Sequence, residues 1–107
     1  MADEETTEDD ELLAQVMRKL RVTWDDDDTA ARVADIMETS AAALAERLGI
    51  PARASCTFEE AGVEKALFLN LCFYAWNDAE DEFWENYGRD VAQARRKWEV
   101  IQHAEEA

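Results

Sequence analysis

Residues 66–76 read Ala-Leu-Phe-Leu-Asn-Leu-Cys-Phe-Tyr-Ala-Trp, eleven residues whose only strongly polar side chain is one amide. Burying each large apolar side chain of such a run contributes roughly 1.5–3 kcal/mol, so the run predicts a helix covered on nearly every side. The chain around it has 107 residues and a net charge of −15. A domain this small has few surfaces with which to wrap a helix completely. Two arrangements satisfy the run: it is the central helix of a compact bundle, or part of its face is closed by another copy of the chain.

The composition points the same way. An apolar fraction of 48% with four Trp, four Phe and two Tyr supplies core material. Charged residues at 35%, with three Gly and one Pro, favour long helices with few turns over many short strands. The length is that of one domain. The expected fold is all-α, a small bundle of about four helices with the third helix central. Residues 1–10 form an acidic flexible N-terminus and residues 11–107 a single helical domain.

Working outward, the run belongs to a third helix that ends near Asn77. Thr57 followed by Glu60 is a capping-box pattern for its start. Its Leu67, Leu71 and Tyr74 point to one side and its Phe68, Cys72, Phe73 and Trp76 to others. Upstream, Gly49 followed by Pro51 ends a second helix over residues 29–48. Val33, Ile36, Met37, Ser40, Ala41, Leu44 and Leu48 lie along one side of it, spaced by three and four. A first helix, running to about Arg21, carries Leu12, Leu13, Val16, Met17 and Leu20 as one stripe. Glu8, Asp9, Asp10 and Glu11 suit its positive pole, and Arg18, Lys19 and Arg21 its negative one. Downstream, residues 78–82 are an acidic hinge or a new helix start. From Tyr87 the apolar residues Val91, Ala94, Trp98 and Ile101 follow at steps of four and three, a short heptad seam suited to packing on another helix. Gly88 weakens that helix locally by about 1 kcal/mol relative to Ala.

The charge balance excludes several function classes. A nucleic-acid binder needs a basic footprint to replace counterions at phosphates, and an anionic membrane surface makes the same demand. The first eleven residues are acidic and lack the basic-then-apolar pattern of a secretion leader, so none is expected. The longest apolar run falls well short of the ~20 residues that cross a bilayer. The expectation is a soluble intracellular protein with no membrane contact.

Catalytic and metal-binding patterns are also missing. Cys56 and Cys72 are sixteen residues apart and His103 is the single histidine; paired thiol sites need closer spacing or accompanying histidines. Both cysteines are expected to be reduced thiols, with Cys72 in the core. One histidine near the chain end argues against a nucleophile–base triad, and three scattered glycines make no phosphate loop. Carboxylate pairs carry no information in a chain with 26 acids. No enzyme activity, metal or cofactor is expected. The run Asp25, Asp26, Asp27 and Asp28 lacks the alternating spacing, glycine and distal Glu of a calcium loop. It reads instead as the cap of the second helix, with Asp27 or Asp28 capping. The basic cluster Arg95, Arg96 and Lys97 with Arg89 is the most concentrated positive patch. It reads as an offset for acids on neighbouring helices, including another subunit's.

The order of these parts resembles the small head–tail connector (adaptor) proteins of tailed bacteriophages. The short helix Leu12-Leu13-x-x-Val16-Met17-x-x-Leu20-Arg21-Val22, the acids of residues 25–28 and the alanine-rich helix ending at Gly49 carry the resemblance most clearly. The apolar helix of residues 63–76 and the aromatic, charged C-terminal segment extend it to roughly residues 11–98. The resemblance implies a non-enzymatic structural subunit of the virion, assembled in the host cytoplasm. It implies a homo-oligomeric ring of about twelve copies that sits below the portal protein, extends the DNA channel and docks a tail or stopper protein. DNA would pass through without specific binding, since a wall rich in carboxylates repels phosphate. On this view Asp25, Asp26, Asp27 and Asp28 face the channel or solvent. The aromatic C-terminal segment, with Phe83, Trp84, Tyr87, Arg95, Arg96 and Trp98, is where subunits or partners are expected to meet. The competing expectation is an acidic module that mimics DNA to inhibit a nucleic-acid enzyme. A small helical antitoxin or regulator is disfavoured because a basic DNA-binding helix is missing.

Overall fold

The computed structural model describes residues 8–22, 27–50, 58 and 62–106. Among them the chain is all-helical, with α1 (Glu8–Leu20), α2 (Asp27–Leu48), α3 (Val63–Trp76), α4 (Glu80–Asn86) and α5 (Gly88–Glu106).

The stripes of α1 and α2 form the core as the periodicity predicts. Leu12, Val16, Met17 and Leu20 are buried, as are Val33, Ser40, Leu44 and Leu48, while Leu13, Ile36, Met37 and Ala41 pack at its edge. Helix α1 begins at Glu8, inside the segment expected to be flexible. Helix α2 begins at Asp27. Asp27 and Asp28 therefore lie inside the first turn rather than capping it from outside; Asp25 and Asp26 lie outside the described residues. Gly49 closes α2 at φ 75°, with the Ile50 N–H donating to the Ala45 carbonyl at 2.9 Å. This is the left-handed cap that its missing Cβ permits. Helix α1 closes the same way through Arg21 at φ 63°, with the Val22 N–H on the Met17 carbonyl at 3.1 Å.

The start of α3 differs from the sequence expectation. The helix begins at Val63 behind Gly62, without a side-chain cap, so the Thr57–Glu60 pattern does not open it; both of those residues lie outside the described set. Phe58 precedes α3 as a separate buried residue, its ring stacked on Phe68 with centroids 5.1 Å apart.

The C-terminal segment is two helices where one was expected, which makes five in place of about four. The chain leaves helical geometry at Tyr87 (φ −109°, ψ 17°), next to Gly88. Glycine's poor helix propensity concentrates the bend there. The Tyr87 N–H still reaches the Phe83 carbonyl at 2.8 Å and the Val91 N–H reaches the Tyr87 carbonyl at 2.9 Å, so the break is a kink rather than a loop.

Helix α3 packs against each of the other four helices. It is not covered nearly all round: Val63 is 47% exposed and Phe73 39%, and Ala66 between them is exposed too. The cause is the shape of the bundle, whose principal extents are 48 × 38 × 18 Å. Helices with side chains are about 10–12 Å across, so 18 Å holds two layers. A helix in a two-layer slab keeps one stripe open.

Candidate functional site

The aromatic residues singled out by the sequence gather where α3, α4 and α5 meet. Phe83 stacks on Tyr87 (4.8 Å, 17°) and meets Trp84 and Tyr74 edge-on at 5.0 and 5.9 Å. Tyr74 and Tyr87 are also edge-to-face at 5.9 Å. Such pairs add about 0.5–1.5 kcal/mol beyond their area burial. The cluster exists because α4 is short: a seven-residue helix folds Phe83 back under α3 while its other faces remain in water. Phe83 is fully buried within the chain and has no surface to offer a partner. Trp84 and Tyr87 are half-buried. Burial, reinforced by Tyr74 and Asp90, raises the Tyr87 phenol above its ordinary pKa and keeps it neutral.

Arginine clamps hold this side of the bundle. The Arg47 guanidinium lies 4.3 Å from the Trp84 ring centre, and that of Arg32 lies 4.5 Å from Trp76. Both arginines come from α2. Contacts of this kind contribute about 0.5–1 kcal/mol at exposed sites. Lys19 from α1 reaches over the exposed Phe73 ring at 5.9 Å.

A third cluster was not legible in the sequence. Glu64, in the first turn of α3, is buried. Its Oε2 accepts hydrogen bonds from the Lys97 ammonium and, at 3.1 Å, from the Trp98 indole N–H, both on α5. Burial alone would raise the pKa of Glu64. The Lys97 hydrogen bond and charge, with help from Trp98, outweigh it and hold the carboxyl below its ordinary value. The Gln102 amide also donates to the Gly49 carbonyl, so α5 is tied to the bundle at two further points.

The heptad seam of α5 turns inward. Val91 and Ala94 are buried, with Tyr87, Trp98 and Ile101 half-buried. That leaves Trp98 occupied by its own chain. Arg95 is exposed and pairs with Glu99 one turn on, at 3.3 Å. The opposite face carries Arg89, Arg96 and Val100, the last 68% exposed. Neither Arg89 nor Arg96 has an ion-pair or cation–π partner among the described residues. Val100 is the residue that the sequence reading missed. Its signal was an apolar side chain standing off the seam.

The acids are spread over the exterior. Asp78, Glu80, Asp81, Glu82 and Glu85 are exposed on and around α4, and Asp28, Asp35, Glu38 and Glu46 on α2. Asp28 is exposed in the first turn of α2. Cys72 is fully buried in the core. Burial pushes its thiol up to about 12, against a smaller opposing effect of the Ser40 hydroxyl, so it stays protonated and unreactive. Cys56 lies outside the described residues. Among the described residues no group of three or more His, Cys, Asp or Glu is placed to hold a metal ion, and no helix is long and apolar enough to cross a membrane.

Compared with known proteins, the chain matches no protein-family model, no curated protein and no solved structure.

Proposed function

We propose that the chain is a structural subunit of a tailed-phage head–tail junction, a connector that joins copies of itself into a ring beneath the portal. The ring extends the DNA channel and docks a tail or stopper protein. In this reading α3 is the central helix of each subunit, the acids of α2 and α4 line the solvent or channel side, and DNA passes without being held. The protein acts by shape and charge, not by catalysis, and resides in the virion after assembly in the host cytoplasm.

The observation that carries the reading is the division of α5 into two faces. One completes the protein's own core through Val91, Ala94 and Trp98; the other presents Arg89, Arg96 and Val100 without partners among the described residues. In a chain of net charge −15, an unneutralised cationic and apolar strip suits contact with another acidic subunit. The acids massed on α4 favour the competing reading, a DNA mimic that inhibits a nucleic-acid enzyme.

Negative-stain imaging of the purified protein at high concentration, with its mass measured in the same solution, separates the two. Closed rings of uniform copy number are expected. A stable monomer that inhibits a nuclease would replace the connector reading with the mimic.

A further inference from the structure

A pocket of about 190 Å³ opens where α2, α3 and α4 meet, lined by Thr39, Ser40, Ala43, Leu71, Glu80 and Trp84. Leu71 and Ser40 are buried and form its floor, the half-buried Trp84 supplies an aromatic wall, and the exposed Glu80 stands at its mouth. Sites for drug-sized ligands usually enclose about 300–1,000 Å³; this one suits a single side chain.

Its chemistry selects the kind of side chain. A carboxylate at the mouth pairs with a positive charge and an apolar floor receives a methylene stem, while the Trp84 ring, which already carries Arg47 at 4.3 Å, lines the wall. Arginine meets both demands, since its stem is apolar and its guanidinium fork pairs with carboxylates.

The matching side chain is on α5. Arg96 lies on the outer face with Val100 one turn further on, and has no partner among the described residues. Arg89, seven residues earlier, sits beside the α4–α5 break, close in sequence to its own chain's acids. Arg96 is therefore the better candidate, with Val100 covering the apolar surface around the pocket.

We infer that the α2–α3–α4 pocket receives Arg96 from a second copy of the chain. The two halves lie on different elements, so the contact can be made head-to-tail, and the ring reading selects that arrangement over a two-fold pair that exchanges both arginines. Contacts of that type repeat from copy to copy and close into a ring when the rotation allows. This inference rests on the ring-subunit reading and adds to it the contact that joins the subunits. It also divides the expected interface residues into a socket containing Trp84 and a plug containing Arg96.

Sedimentation velocity on the wild type, on Arg96→Ala, on Glu80→Arg and on an equimolar mixture of the two variants tests it. Both substituted positions are at the surface, and circular dichroism checks that both variants stay folded. The wild type is expected to sediment as an oligomer larger than a dimer, and each variant as a monomer with self-association weakened tenfold or more; a wild type that stops at a dimer overturns the head-to-tail geometry. The mixture is expected to stop at a one-to-one pair, because only the intact Arg96 of the Glu80→Arg chain finds an intact socket. Oligomers that persist in either single variant overturn the socket and leave the ring reading standing. Complexes larger than a pair in the mixture overturn the head-to-tail geometry. A wild type that stays monomeric up to millimolar concentration overturns both the socket and self-assembly into a ring.

Discussion

Helices α2 and α5 are of similar length, 22 and 19 residues, yet they use their faces in opposite ways. Helix α2 sends Val33, Leu44 and Leu48 into the core without residual exposure and spends Arg32 and Arg47 on tryptophan rings of its own chain. Helix α5 buries little more than Val91 and Ala94, is tied on through Glu64 and Gly49, and leaves Arg89, Arg96 and Val100 facing outward. The lesson is that one long helix spends its arginines inside the bundle, while the other keeps a cationic and apolar face in solvent. Amphipathicity alone does not distinguish them; what distinguishes them is where the off-stripe arginines and the off-seam valine go.

The largest expected effects break the inner side of that comparison. Phe83→Ala should cost about 3–5 kcal/mol and Leu44→Ala about 3 kcal/mol, because both leave cavities in fully buried positions. Val91→Ala on α5 should cost only about 1–2 kcal/mol, in line with two lost methyl groups. Urea unfolding of the three variants measures the ranking. A loss at Val91 equal to that at Leu44 would mean that α5 is as deeply anchored as α2.

Next in size is the tie between α3 and α5. Glu64→Gln should cost about 1–2 kcal/mol at pH 7, since it removes a charged acceptor shared by Lys97 and Trp98. Lys97 is half exposed, which keeps the figure below that of a fully buried pair. Glu64 has a folded pKa below its ordinary 4.5. Its contribution is thus present above that value and lost as pH falls through the lower folded one. The stability gap between wild type and variant, followed by urea unfolding across pH, should close below about 4.5. A gap unchanged at acid pH would assign the effect to packing.

Smaller still are two gains at the helix ends. Arg21 holds φ 63° without being glycine, so Arg21→Gly should stabilise by about 1 kcal/mol. An added Cβ at Gly88 meets nothing within 4 Å, so Gly88→Ala should add about 0.5–1 kcal/mol. Thermal unfolding checks both, with melting temperatures expected to rise. Smallest of all, Val100→Ser should move stability by less than about 0.5 kcal/mol while weakening any self-association. A clear loss of monomer stability would assign Val100 to the fold.

Much of the bundle was legible because its signals are local. The stripes of α1 and α2, the Gly49 cap and the seam from Tyr87 to Ile101 depend on residues three, four or five apart, and all of them direct the side chains as periodicity predicts. Features set by distant partners were not legible. Nothing in its local spacing marks Glu64, whose hydrogen-bond donor Trp98 lies 34 residues away. The Thr57–Glu60 pattern is locally sound, yet α3 begins only after Gly62, and the kink at Tyr87 divides a stretch whose apolar spacing looks continuous. Phe83 and Phe73 exchanged roles for a geometric reason: the two-layer slab encloses the short α4's phenylalanine and leaves one stripe of the most apolar helix open. Of the expected interface set, Trp84 and Arg96 keep accessible surface, whereas Phe83 and Trp98 serve the chain's own interior.

The central claim is that the outer face of α5 and the pocket beside Trp84 are surfaces meant to be covered together. Hydroxyl-radical footprinting of the wild type at assembling concentration, compared with the Arg96→Ala variant, addresses it directly. Val100 and Trp84 should lose reactivity in the wild type alone, while Met37 on α2 reacts alike in both. Equal reactivity of Val100 and Trp84 in the two samples would contradict the account.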